Sequence, residues 1–173
     1  MTKELGTTKD LVVKHTFEAS VDRVWQVWTD EKFVKRWWYV DGFSNIFAKM
    51  DVRDDGQSHV GMQASKENGG QAYYNVWKYT SVIPNKILQY ISNFADKKGN
   101  VITPEAAGLP AETPMDKKQE VEFKELESGG TEVTITEFGW EDGGVMIDRS
   151  RRGLEQTLAN IDKVLLARVN KKK

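Results

Sequence analysis

What most constrains how this chain can fold is a double change in its hydrophobic period. Apolar residues recur at helical spacing between Ser20 and Trp37, at every second position from Ile46 to Phe138, and at helical spacing again from Val145 to Val169. Period two gives each strand one apolar face. The closing segment carries a matching stripe of Met146, Leu154, Leu158, Ile161 and Leu165. At 1.5 Å per residue it is roughly 37 Å long, enough to cross a whole sheet. The predicted class is therefore α+β, an antiparallel sheet wrapped around a long C-terminal helix.

The punctuation supports this order. Leu11–Phe17 is rich in Val and Thr and is predicted to be a strand. Ser20 stands as an N-cap before Val21, Val24, Trp25 and Trp28, and Thr29-Asp30-Glu31 starts a second short helix that places Phe33 and Trp37 on one face. Strands are then predicted at Ile46–Val52, Ser58–Ser65, Gln71–Val82, Lys86–Phe94, Lys117–Leu126 and Thr131–Phe138. Asp54-Asp55-Gly56, Asn68-Gly69-Gly70, Pro84-Asn85 and Ser128-Gly129-Gly130 supply turn chemistry between them, so neighbours in sequence pair antiparallel. Residues 95–116 hold three of the four prolines, Pro104, Pro110 and Pro114, and are expected to be either a lid or a bystander loop. Residues 1–10 and the terminal Lys171-Lys172-Lys173 run are expected to be loose ends of a single domain spanning 1–173. Gly153 interrupts the last helix, which implies close backbone packing or a kink.

Composition excludes several chemistries. The absence of cysteine removes disulfides, thiolate metal sites and a cysteine nucleophile. Two histidines, His15 and His59, are too few for a His-rich metal site, and no cofactor is implied. A formal charge of -1 gives no global attraction to nucleic acid, and no segment has the apolar length for membrane insertion. No hydrophobic leader is visible, so a cytoplasmic location is the default expectation.

The strand faces point to a cavity or to a purely aromatic core. Tyr73, Asn75, Trp77 and Tyr79 share one face; so do Leu88, Tyr90, Ser92 and Phe94; so do Val133, Ile135 and Glu137. Asn75, Ser92 and Glu137 are polar residues on otherwise apolar faces, and each needs a partner, water or ligand if buried. His59 falls on the face opposite Val60 and Met62 and is expected at the surface, while His15 is expected to be structural. Asp148 suits the first turn of the last helix. Arg149, Arg151 and Arg152 are expected to form a solvated basic face, with a clamp on an anionic head group as the alternative.

Phe17-Glu18-Ala19-Ser20, Val24-Trp25, Trp28-Thr29-Asp30, Trp37-Trp38, the stretch from Met50 to Gly56, Gly61-Met62, Gly130-Thr131 and the stretch from Gly153 to Leu158 occur in an order and spacing that resemble the START-like (SRPBCC) superfamily. The closest likeness is to the branch named for homologues of the activator of heat-shock protein 90 ATPase. That resemblance covers nearly the whole chain and implies a helix-grip fold with two short helices after the first strand. The sequence departs from the family pattern at Tyr39-Val40, where Gly-Pro is common, at Asp55-Gly56, where paired glycines are common, and at Leu154, where Trp is usual. These departures bear on which ligand a cavity would take.

Three functions follow as expectations. The first is binding of a small hydrophobic or amphipathic ligand by Trp38, Phe43, Met62, Trp77, Tyr79, Tyr90, Phe94 and Met146, with Asn75 and Glu137 orienting its polar end. The second is an enzyme of cyclase, dehydratase or hydrolase type, as found in the superfamily, for which Glu137 is the one catalytic candidate in the cavity. The third is a co-chaperone-like interaction module with weak chaperone contact. The eukaryotic activator carries a separate N-terminal chaperone-binding domain, for which this chain is expected to have no room.

Overall fold

A computed structural model describes residues 8–141 and 144–170 of the chain. β1 (Thr8–Phe17) runs to Ser20, whose hydroxyl accepts the Arg23 amide at 3.4 Å and starts α1 (Val21–Thr29). Asp30 repeats the device, accepting the Lys32 amide at 3.1 Å to start α2 (Glu31–Trp37). There follow β2 (Phe43–Lys49), β3 (Gln57–Ala64), β4 (Ala72–Ile83), β5 (Ile87–Ala95), β6 (Lys117–Glu125) and β7 (Thr131–Glu141). The last element, α3 (Val145–Asn170), is a single helix of 26 residues.

The strands form one antiparallel sheet in the order β1-β7-β6-β5-β4-β3-β2. Sequence neighbours pair from β2 to β7, and β1 closes onto the far edge beside β7. The curved sheet wraps α3, with α1 and α2 packed against one end. This is the helix-grip α+β fold. The core lies between the inner face of the sheet and the helices. Leu11, Phe17, Val60, Leu88, Val121, Val133, Leu158 and Ile161 are among its most deeply buried side chains. Trp28 is a junction: its ring lies 6.2 Å from Phe17, 5.3 Å from Trp37 and 5.5 Å from Phe123.

Several expectations need correction. Residues 8–10 are not loose but belong to β1, where Thr8 and Lys9 pair with Glu141 and Trp140. Residues 1–7 and the terminal lysines lie outside the described residues. β2 begins and ends three residues before its predicted span. A register shift between Asn45 and Phe47 breaks its alternation, and residues 50–56 take up a turn instead. In that turn Asp55 supplies the positive φ of 64°, a conformation Asp tolerates. Gly56 is needed for a different reason: a Cβ there would sit 2.3 Å from the Asp51 carbonyl oxygen.

His59 is not a surface residue but 7% exposed. The turn at residues 96–100 folds over the outer face of the sheet. The Asp96 carbonyl lies 3.1 Å from His59 Nε2, with Phe47 and Tyr74 against the ring. Gly153 breaks nothing. α3 runs through it, and a Cβ there would meet only Val40 at an ordinary 3.7 Å.

Asn160 ties α3 to the end of α2, its amide donating to the carbonyls of Trp37 at 3.2 Å and Tyr39 at 3.0 Å. Asn160→Leu leaves both carbonyls without that donor. It is expected to cost about 1–3 kcal/mol, measured as a lower denaturant midpoint at unchanged slope.

Candidate functional site: a two-lobed cavity beneath α3

Pairing register lays polar and aromatic side chains across the inner face in rows. One row runs Val60, Asn75, Phe94; the next runs Ser58, Trp77, Ser92, Lys117; a third runs Tyr79, Tyr90, Gln119, Glu137. Residues opposite one another in an antiparallel ladder point to the same side. Lys117 and Gln119 therefore share the inner face with Val121 and Phe123. On the helix, Met146, Ser150, Gly153, Leu154 and Thr157 recur at three- and four-residue spacing and meet those rows.

The space between has two lobes. The first, about 320 Å³, is walled by Trp28, Trp37, Trp38, Trp77 and Tyr90, with Val40, Gly153 and Leu154 on the helix side. Its aromatics form a chain: Trp38 stands edge-on to Trp77 at 6.0 Å, and Trp77 lies 5.4 Å from Tyr90. The second lobe, about 290 Å³, adds Thr113, Pro114, Lys117, Trp140, Met146 and Arg149. Asn75, Ser92, Phe94, Gln119, Glu137 and Ser150 line both. The second lobe is thus the polar continuation of the aromatic first.

A bulge builds the second lobe. Strict alternation along β7 would turn Gly139 inward after Glu137. Instead, two residues of β7, Phe138 and Gly139, oppose the single Asp10 of β1 between the pairs Leu11–Glu137 and Lys9–Trp140, and Gly139 takes φ 73°. The extra residue brings the Trp140 indole to the inner side. Its Nε1 donates to Glu137 Oε1 at 3.3 Å, and the Lys117 ammonium rests 3.8 Å from its ring centroid.

Glu137 is only 4% exposed, at the junction of the lobes. Its carboxylate accepts from Gln119 Nε2, Ser150 Oγ and Trp140 Nε1. Burial pushes its acidity constant above the ordinary carboxylate value, while hydrogen bonds from Ser150 and Trp140 and the Lys117 charge pull the other way. Burial likewise draws the Lys117 ammonium below its usual value, opposed by the charge of Glu137. The Tyr90 phenol is pushed strongly upward by burial and stays neutral. Among the described residues, no group of three or more His, Asp or Glu side chains gathers to hold a metal ion.

Of the ten residues named from sequence, Trp38, Met62, Asn75, Trp77, Tyr90, Phe94 and Glu137 line the first lobe, and Met146 the second. Phe43 and Tyr79 line neither. Phe43 opens the edge strand β2 and packs on Tyr73 at 5.9 Å, while Tyr79 is core, its hydroxyl 2.7 Å from Ser58 Oγ. Of the three arginines expected on a solvated face, Arg149 is exposed and also lines the second lobe. The 95–116 loop divides its roles: Asp96 accepts the amides of Lys98 and Asn100 in a tight turn over the outer face, whereas Thr113 and Pro114 line the second lobe. Sequence reasoning missed Lys117, Gln119, Trp140 and Ser150. The parity of Lys117 and Gln119 with Val121 was readable; the bulge that delivers Trp140 was not.

The model of the family "Activator of Hsp90 ATPase homolog 1-like protein" matches residues 18–166. No curated protein matches the sequence. Among solved structures, the chain resembles a Staphylococcus epidermidis protein at 21% identity and TM-score 0.75, covering 97% of this chain and 95% of that one. It resembles an AHSA1-like protein from Aeromonas hydrophila at 19% identity and TM-score 0.67, covering 92% and 93%. It also resembles the AHSA1 protein from Silicibacter pomeroyi at 15% identity and TM-score 0.70, covering 92% and 99%. At these identities the structures speak for the fold alone. The family match spans most of the sequence and the same fold recurs over the full length of each neighbour, so the chain belongs to the activator of Hsp90 ATPase homolog 1-like family, a branch of the START-like (SRPBCC) superfamily.

Proposed function

We propose that the protein binds a small amphipathic molecule in the two-lobed cavity, its apolar body against Trp38, Trp77 and Tyr90 and its polar end towards Asn75 and Glu137. The observation that carries this reading is the continuity of an aromatic lobe with a polar one under a single helix. Small-molecule sites are typically about 300–1,000 Å³, mostly apolar, with a few fixed polar groups. Val40 and Leu154, two of the three departures from the family pattern, both line the first lobe, so its shape is particular to this sequence.

The family description favours a second reading, a co-chaperone-like module that contacts a chaperone through its outer faces. The comparisons speak for this reading more directly than for the first, and the cavity speaks for the first. A coupled ATPase assay with the chaperone of the same organism separates them. Stimulation by the wild type that survives filling of the cavity supports the second; unchanged ATPase rates leave the first.

Glu137 meets one condition for a general acid, burial beside a cavity with a raised acidity constant. However, three donors, the Ser150 hydroxyl among them, already engage its carboxylate. That arrangement suits an orienting group rather than a proton shuttle.

Delipidated protein is expected to bind a neutral environment-sensitive fluorophore saturably. Trp77→Ala or Tyr90→Ala should weaken it by about tenfold through lost stacking and apolar contact. Gly153→Leu, which puts a side chain into the first lobe, should abolish binding while circular dichroism stays native. Saturable binding by the wild type that all three variants leave unchanged would place the fluorophore elsewhere.

Glu137 also has a signature in stability. A carboxyl whose folded value lies above its unfolded value contributes stability in acid, and that contribution is lost as pH rises through the folded value. As pH rises from the ordinary carboxylate value through the raised folded value, the wild type should therefore lose stability relative to Glu137→Gln. Glu137→Gln also removes the charge that opposes the fall of Lys117, so the same comparison in a Lys117→Met background isolates the carboxyl. Equal pH profiles would mean that burial is not what governs this carboxyl.

A further inference from the structure

We infer that the second lobe receives the anionic head group of a monocarboxylate, held by Lys117 and Arg149, while the apolar body of the same molecule occupies the aromatic lobe. This rests on the cavity being a ligand site and names the chemical class that the site takes.

The argument begins with Lys117. The residue is 8% exposed, yet its ammonium rests on the Trp140 face and makes no hydrogen bond or salt bridge among the described residues; the charges of Glu137 and Asp10 act on it from beyond salt-bridge distance. A lysine that deep is ordinarily paired, because a buried charge without a counter-ion is costly. The obvious partner, Glu137, lines the same lobe but turns its oxygens to Gln119, Ser150 and Trp140. Trp140 therefore holds the two groups apart, donating to the carboxylate with its edge and facing the ammonium with its ring.

A second side chain is also left over. Thr113, 6% exposed, lines the same lobe, and its hydroxyl has no hydrogen-bond partner among the described residues. It comes from the proline-bearing loop, so loop, strand and helix each present one group. A buried polar atom without a partner is costly. A ligand oxygen would satisfy the Lys117 ammonium and the Thr113 hydroxyl together.

Charge decides the kind of head group. Lys117 and Arg149 face the lobe against the single carboxylate of Glu137. Asp10, whose carboxylate accepts the Gly139 amide at 3.1 Å, lies outside the lining but also acts on the Lys117 charge. One negative charge is therefore the most that the lobe balances, and a dianion such as a phosphate monoester would overshoot it. The lobe of about 290 Å³ shares Asn75, Ser92, Phe94, Gln119, Glu137 and Ser150 with the aromatic one, so a head group held in it can carry an apolar body beside Trp77 and Tyr90.

Two fluorophores with the same ring skeleton test this: neutral N-phenylnaphthylamine and anionic anilinonaphthalene sulfonate, each titrated into delipidated full-length protein. The wild type should bind the anionic probe about tenfold more tightly than the neutral one. Lys117→Met, which keeps the stem and removes the charge, should erase that preference and leave the neutral probe within about twofold. Thr113→Val should weaken only the anionic probe, by a few-fold, and guards against misfolding of the lysine variant. Decanoate should displace the anionic probe at concentrations where decanol and decyl phosphate do not. Equal affinity of the wild type for both probes, or loss of both probes together in Lys117→Met with native circular dichroism, would overturn the head-group site and leave the cavity reading standing. Stronger competition by decyl phosphate would overturn the monoanion assignment. Failure of both probes to bind the wild type would sink the cavity reading itself.

Discussion

A single helix cannot fill the concave face of a seven-stranded sheet. Seven strands spaced about 4.8 Å apart span roughly 29 Å, whereas a helix with its side chains is about 10–12 Å across. α1 and α2 cover one end, where Trp28 gathers Phe17, Trp37 and Phe123 into a dry cluster. Along the rest of the groove α3 leans on the sheet mainly through Ile147, Leu158, Ile161, Val164 and Leu165. Between these contacts the helix presents Ser150, Gly153 and Thr157, which are too small to fill the space before the facing strands. Small residues on the helix opposite large aromatics on the sheet leave the cavity. The fold needs the aromatics as walls and the helix as a roof.

That geometry explains why polar side chains are tolerated on an inner face. Glu137 is held by donors from a neighbouring strand, from its own strand beyond a bulge, and from the helix. Each donor comes from an element that would drift if the carboxylate were removed, so the group that looks most out of place also fixes the junction of the two lobes. Lys117 is the complementary case. It is buried with an aromatic neighbour and no salt bridge among the described residues, in a lobe whose remaining wall is partly polar. A fully satisfied carboxylate beside an unsatisfied ammonium is an asymmetry that a ligand can resolve.

Much of this was legible in the sequence, and the failures share a cause. Ser20 and Asp30 were readable as caps because capping is local: the side chain bonds an amide two or three residues on. The inward parity of Asn75, Trp77, Tyr90, Ser92 and Glu137 followed from period two. β2 was misplaced because a register shift interrupts that period. His59 was assigned to solvent because alternation says which face a residue takes, not what later folds over it; residues 96–100, nearly forty positions on, cover it. Tyr79 has the correct parity and still misses the cavity, since its ring packs on Tyr90 and its hydroxyl meets Ser58.

The sequence by itself determined the element order, the antiparallel pairing and the composition of each face, because those depend on spacing and on turn residues a few positions apart. Only the tertiary structure decided which part of the inner face is packed and which is open. That outcome rests on contacts between distant segments: α3 against rows drawn from several strands, β1 returning beside β7, and a Gly139 bulge that turns Trp140 inward to stand between Glu137 and Lys117. Local periodicity carries no information about the distance between two faces, and the volume left between them is what makes the inner face a cavity instead of a core.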